Sequence, residues 1–167
     1  MIGRPEKSEA ADYYSTYIDK VEGSDVLAVI NRQLDQYSAF FSSISGEKSL
    51  HRYAPDKWSI REVLSHLNDC ERVFAFRAFW FARGFDSPMA SFDQNVAIAH
   101  ANADQIPWAS HVEEFRRVRQ ATLSLFTTMK PEAWMKTGIA SEKKVTVRAL
   151  AYIIVEHHAG IVRERYL

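Results

Sequence analysis

Four stretches of this chain repeat apolar residues at spacings of three and four, and almost nothing inside them breaks a helix. Leu27, Ile30, Leu34, Tyr37, Phe41 and Ile44 form the first stripe. Ile60, Leu64, Leu67, Phe74, Ala78 and Phe81 form the second. Val112, Phe115, Thr122, Leu125, Phe126 and Met129 form the third, and Leu150, Ile153, Ile154 and Ile161 the fourth. This period is that of a helix with one face in a core. Only 6 glycines and 5 prolines occur in 167 residues. The expectation is all-α: a single domain over 1–167, built as a four-helix bundle with a long crossover between its second and third long helices.

Local signals set the expected helix ends. Ser24 and Thr146 read as N-caps of the first and last long helices, and Ser59 with Glu62 as a capping box for the second. Gly46 and Gly84 read as stops. The third long helix is expected from about Ser110. The first 23 residues read as an extended arm with two short turns. A short helix is expected around 92–102 in the crossover, and a single turn at "PEAWM", where proline suits a first helical position. The segment "KTGIASEKKVT" reads as loop or a short hairpin.

Composition narrows the function. Twenty-one basic residues balance 21 acidic ones, which gives no electrostatic reason to expect nucleic acid or an anionic membrane as partner. No apolar run approaches a membrane span, and "MIGRPEKSEAADYY" lacks the apolar core of a secretory signal. The one cysteine, Cys70, excludes an internal disulfide and fits a reducing compartment. A cytoplasmic protein is expected.

The candidates for chemistry are histidines. His66 shares a face of the second helix with Val63, Cys70 and Val73, so it points inward or into a cleft. A core histidine with a hydrogen-bonded ring is the plain alternative. Asp69 is either an acceptor that orients this ring or simply solvated. His157 and His158 adjoin in the last helix and therefore point about 100° apart. Neutral imidazole is the commonest protein ligand for metals, and three histidines from two helices suit Zn²⁺ or Ni²⁺. Cys70 reads as a small buried hydrophobe before it reads as a ligand. His51, His100 and His111 read as surface residues. No glycine-rich phosphate loop and no nucleophile motif occurs.

The segment "RYAPDKWSIREVLSHLNDCERVFAFRAFWFARG" resembles the DinB/YfiT-like superfamily. Trp58, Ser59, Ile60, Glu62, Val63, His66, Leu67, Asp69 and Glu71 stand at the positions of its helix-two signature. Further matches lie in "SFDQN", "EEFRRVRQATLSLF", "VTVRALAYII" and "RERYL". The resemblance implies a four-helix bundle with a three-histidine metal site, one ligand matching His66. The other two come from an H-x-x-x-H pair on the last helix. Counted from "VTVR", His157 takes the first of these places; counted back from "RERYL", His158 takes the second. About three residues are missing between them. Two adjacent histidines reach one ion only on a distorted, π-bulged helix.

The resemblance implies a divalent-metal-dependent enzyme, a thiol S-transferase or a hydrolase acting on a small electrophilic substrate. The metal would be held by His66, His157 and His158. A low-molecular-weight thiol such as bacillithiol or mycothiol is the implied partner, and a homodimer the implied assembly. The alternative is a metal-free bundle that binds a small ligand or another protein, or a dimer module whose cavity near His66 is filled by Phe74 and Trp80.

Overall fold

The structure, a computed structural model, describes residues 2–165. Its four long helices are α2 (Val26–Ser42), α3 (Ile60–Ala82), α5 (Trp108–Thr127) and α6 (Val147–Arg165). A short α1 (Asp12–Ile18) precedes them, and α4 (Gln94–Ala101) lies in the crossover between α3 and α5. An antiparallel hairpin, β1 (Thr137–Ala140) and β2 (Lys143–Thr146), leads into α6. The all-α four-helix bundle with its long crossover is therefore the observed fold. Of the terminal "RERYL" stretch, Tyr166 and Leu167 lie outside the described residues.

Most helix ends are where the sequence puts them. Ser59 accepts from the Glu62 amide at 3.1 Å, and Glu62 Oε2 accepts from the Ser59 amide at 2.8 Å, completing the capping box. Thr146 Oγ1 accepts from the Ala149 amide at 3.0 Å and so caps α6. Three ends differ. Asp25, not Ser24, caps α2: its Oδ1 reaches the amides of both Leu27 (3.1 Å) and Ala28 (3.2 Å). Helix α2 closes at Ser42, short of Gly46, whose carbonyl instead accepts from Arg61 and Ser49. Helix α5 starts at Trp108, because Pro107 supplies the preceding extended residue.

The core is divided. Ile30, Phe81, Phe126, Trp134, Leu150 and Ile154 belong to one apolar cluster. Phe41, Leu64, Leu67, Trp108 and Phe115 belong to another. Each long helix crosses from one to the other through a buried polar residue: Gln33 on α2, Glu71 on α3, Arg119 on α5 and His158 on α6. A polar layer thus cuts the bundle at mid-height.

The hairpin and the arm close one side. Its turn uses Ser141 (φ 50°) and Glu142 (φ 62°) in the left-handed region, as a two-residue hairpin requires. Gly138 touches the Phe81 ring so closely that a Cβ there would overlap it. In the crossover, Met89 bonds on either side of Ala140 at the end of β1, its amide donating to Ile139 O (2.9 Å) and its carbonyl accepting from Ser141 N (3.0 Å). The arm is held by Glu9, whose carboxylate takes Arg148 Nε (3.1 Å) and Thr146 Oγ1 (2.8 Å) at the start of α6.

Candidate metal centre

His66 and Cys70 are four residues apart on α3, which puts them one turn apart on one face. Cys70 Sγ lies 3.5 Å from His66 Nδ1 and 3.7 Å from Nε2. Helix α6 packs against this face of α3 and brings in His157, whose ring centroid is 5.1 Å from that of His66. One donor atom from each of His66, Cys70 and His157 lies within 4.8 Å of the other two. Trp58 packs on the His66 ring at 5.0 Å, and Phe74 on the His157 ring at 6.1 Å.

These groups line a cavity of about 370 Å³ between α3, α6, α1 and the crossover. Tyr14, Tyr17, Trp58, Phe74 and Phe92 give it aromatic walls, and Arg77 and Ser141 also line it. Phe74 is a wall of this cavity, not a plug in it. Trp80 is elsewhere, stacked on Phe85 at 4.0 Å.

Burial sets the protonation. It pushes the His66 imidazole down to about 4, helped by the His158 ring nearby. Burial, then His158 and His66, push His157 well below its ordinary value. Both rings are therefore neutral at physiological pH, the form that binds metals. Burial, with Asp69 nearby, pushes the Cys70 thiol up to about 12, so it holds its proton unless a cation displaces it. The His157 Nδ1 atom is buried with no hydrogen-bond partner. Two imidazoles and a thiol fit a borderline-soft divalent ion.

The sequence groups His158 with His66 and His157; the structure brings the last two together and turns His158 the other way. Its Nε2 lies 3.0 Å from Glu71 Oε2, in the polar layer. Arg119 Nε approaches the same oxygen at 3.3 Å, and all three side chains are wholly buried. The reason is helical geometry. Residues 157 and 158 stand in an uninterrupted α-helix, so their side chains diverge by about 100°. Burial alone would raise the Glu71 carboxyl, but Arg119 and His158 hold it at about 2. Burial and the Arg119 charge take His158 down to about 4. The layer is thus an anionic Glu71, a cationic Arg119 and a neutral His158.

Asp69 does not reach His66; it pairs with Arg72 at 3.3 Å on the outer side of α3. His51 and His100 are exposed, as expected. His111 is not: it is buried, its Nε2 2.9 Å from Ala103 O, where it ties α5 to the crossover. Sequence reading missed Arg119 altogether and singled out Glu71 through the helix-two signature, without its buried partners. A signal existed. Arg119 falls on the third stripe between Phe115 and Thr122, and Glu71 falls on the second between Leu67 and Phe74, at spacings of three and four.

The profile of the DinB superfamily matches residues 30–160. No curated protein matches the chain. Among solved structures, YfiT from Bacillus subtilis, described as a probable metal-dependent hydrolase with an unusual four-helix bundle topology, superposes with a TM-score of 0.67 at 15% identity. That match covers 95% of this chain and 87% of YfiT. The mycothiol-dependent maleylpyruvate isomerase superposes with a TM-score of 0.66 at 14% identity, covering 81% of this chain and 58% of the isomerase. A mutant of that isomerase gives a TM-score of 0.66 at 11% identity, over 78% of this chain and 55% of the other. This chain therefore spans little more than half the isomerase's length, and likenesses at such identities speak for the fold. With the superfamily profile matched over most of the chain and the fold shared, the chain belongs to the DinB superfamily.

Proposed function

We propose that this protein is a divalent-metal-dependent enzyme that transfers a thiol to, or hydrolyses, a small electrophilic substrate. His66, Cys70 and His157 would hold the ion, with Zn²⁺ the best fit to two nitrogens and one sulfur and Ni²⁺ the second choice. His158 would serve from behind, pinning α6 through Glu71 so that His157 faces the cavity. The observation that carries this reading is the meeting of two neutral imidazoles and a thiol, from two helices, at the wall of an aromatic cavity.

When bound, the ion would supply Lewis acidity and lower the pKa of a thiol or water. The chain's own residues do the rest. Tyr14, Tyr17 and Trp58 line the cavity and would, with a substrate between them, screen the site from water, which strengthens electrostatic interactions inside it. Phe74 offers a flat surface beside His157. No carboxylate lines the cavity among the described residues, so a proton leaving the nucleophile passes to solvent or substrate.

The superfamily setting and the mycothiol-dependent neighbour support a low-molecular-weight thiol as partner. The free thiol of Cys70 supports a reducing, cytoplasmic setting, and no described helix is long and apolar enough to cross a membrane. Half-exposed Phe76 beside Phe79 on α3 supports a homodimer; light scattering tests it, a monomeric mass counting against it.

A second reading has its own observation. Ile154, fully buried, stands four residues before His158, so the H-x-x-x-H pair is absent and the bundle would bind a small ligand without metal. Calorimetric titration of Zn²⁺ into metal-stripped protein separates the two. Submicromolar binding that His66→Ala abolishes supports the metal enzyme, and no binding supports the metal-free reading.

A further inference from the structure

Arg77 is almost wholly buried, at 4% exposure, yet no carboxylate pairs with it among the described residues. Its Nη2 donates to Ala90 O at 2.8 Å and to Ser141 Oγ at 3.2 Å, both neutral. Burial accordingly pushes its pKa down. A buried guanidinium is costly unless its charge is met. Its remaining N–H groups are not enclosed by protein acceptors, and the residue lines the cavity.

The placement is directional. Arg77 follows Cys70 by seven residues on α3, about 10 Å along the axis and nearly the same face. Phe74 lies between the two, its ring 5.8 Å from the Arg77 guanidinium and 6.1 Å from the His157 ring. Tyr14 also lines the cavity; burial raises the pKa of its hydroxyl and the Arg77 charge opposes that rise. The hairpin turn, with two residues at positive φ, delivers Ser141 to Arg77. The cavity thus has a donor set for a cation near His66 and an unmatched cation further along α3, with no acidic lining residue between.

We infer that Arg77 is the binding site for an organic carboxylate, so that the substrate of the proposed reaction is a small molecule whose acid group is separated by a short spacer from its reacting end. The inference rests on the metal-enzyme reading for the identity of the reacting end, but not for the carboxylate. Arg77 supplies a planar fork that fits a carboxylate with two parallel hydrogen bonds. Its positive charge against an acid gives selectivity over a neutral analogue, which leaves the guanidinium unmatched.

The test compares mercaptohexanoic acid with mercaptohexanol, and hexanoic acid with hexanol, by calorimetry in metal-free and in Zn²⁺-loaded protein. Each acid is expected to bind at least tenfold tighter than its alcohol in the metal-free protein. Arg77→Gln is expected to erase that ratio while Arg77→Lys keeps part of it. Because burial makes Arg77→Gln a folding risk, the wild-type acid-to-alcohol ratio and its decline with added salt stand as a second readout. Equal affinities for acid and alcohol in the wild type would overturn the inference, as would an acid preference that survives Arg77→Gln. In the Zn²⁺-loaded protein, a gain of mercaptohexanoic over hexanoic acid places thiol and carboxylate on one molecule; no gain places the carboxylate on the electrophile. If Zn²⁺ does not bind, the metal reading fails while the metal-free comparison still decides on Arg77.

Discussion

His157 and His158 are neighbours in the chain with ring centroids 6.2 Å apart, yet one faces the cavity and the other the sealed interior. Their roles are therefore separable. His157→Ala is expected to cost little stability and to remove Zn²⁺ binding. His158→Ala leaves buried Glu71 short of a partner and is expected to cost about 1–3 kcal/mol. Arg119→Ala leaves the Glu71 charge uncompensated and is expected to cost about 3–5 kcal/mol. Urea unfolding midpoints measure all three; equal losses for the two histidine variants would refute the division of labour.

The same burial fixes a pH response. His66 and His158 sit at about 4 in the folded chain, and His157 lies well below its ordinary value, against an ordinary value of 6.5. Above that value the rings are neutral folded or unfolded and contribute no slope. Below it the unfolded chain takes up protons first, so stability falls as pH drops toward 4, by about 1.4 kcal/mol per pH unit per histidine. The Glu71 carboxyl, held at about 2 against 4.5, acts at lower pH: its contribution is present above its unfolded value and lost as pH falls through the folded one. Denaturation of metal-free protein between pH 7 and 4 is expected to show a slope of more than one proton. A flat profile would mean that the rings are solvated.

Zinc binding at this site would carry a proton signature. The imidazoles are already neutral, whereas the Cys70 thiol is pushed up to about 12. Binding at pH 7 is therefore expected to release about one proton, since a thiol ligates as thiolate. Calorimetry in buffers of different ionisation enthalpy reads this number. Cys70→Ser is expected to bind more weakly and to release none; release that is unchanged in the variant would exclude Cys70 from the ligand set.

Gly138 is the point where the hairpin meets α3. Because a Cβ there overlaps the Phe81 ring, Gly138→Ala is expected to cost about 1–3 kcal/mol through overpacking. Thermal denaturation checks it. An unchanged midpoint would show that the hairpin is free to lift from α3.

The bundle was legible because its stripes are long and periodic. The capping box at Ser59 and Glu62 and the cap at Thr146 were legible for the same local reason: all three bonds close within three residues. The cap of α2 went to Asp25 because a carboxylate reaches two first-turn amides at once. The site was legible only in part. His66 and His157 are visible as histidines, but their meeting depends on how α6 is rotated against α3, which no spacing within one helix states. Cys70 reads as apolar in sequence and becomes a candidate donor only through its distance to His66. His158, Glu71 and Arg119, the titratable members of the polar layer, come from three helices, so each alone looks like an ordinary charged or aromatic position. Arg77 gave no sign of isolation, because a missing partner is a tertiary fact.

The convergence of His66, Cys70 and His157 on one ion is tested most directly by adding Co²⁺ to metal-stripped protein and recording its absorption spectrum. The expected result is a near-ultraviolet thiolate-to-cobalt charge-transfer band at one equivalent, lost in Cys70→Ser and in His66→Ala and kept in Asp69→Asn. A spectrum no different from Co²⁺ in buffer, or a charge-transfer band that survives Cys70→Ser, would contradict it.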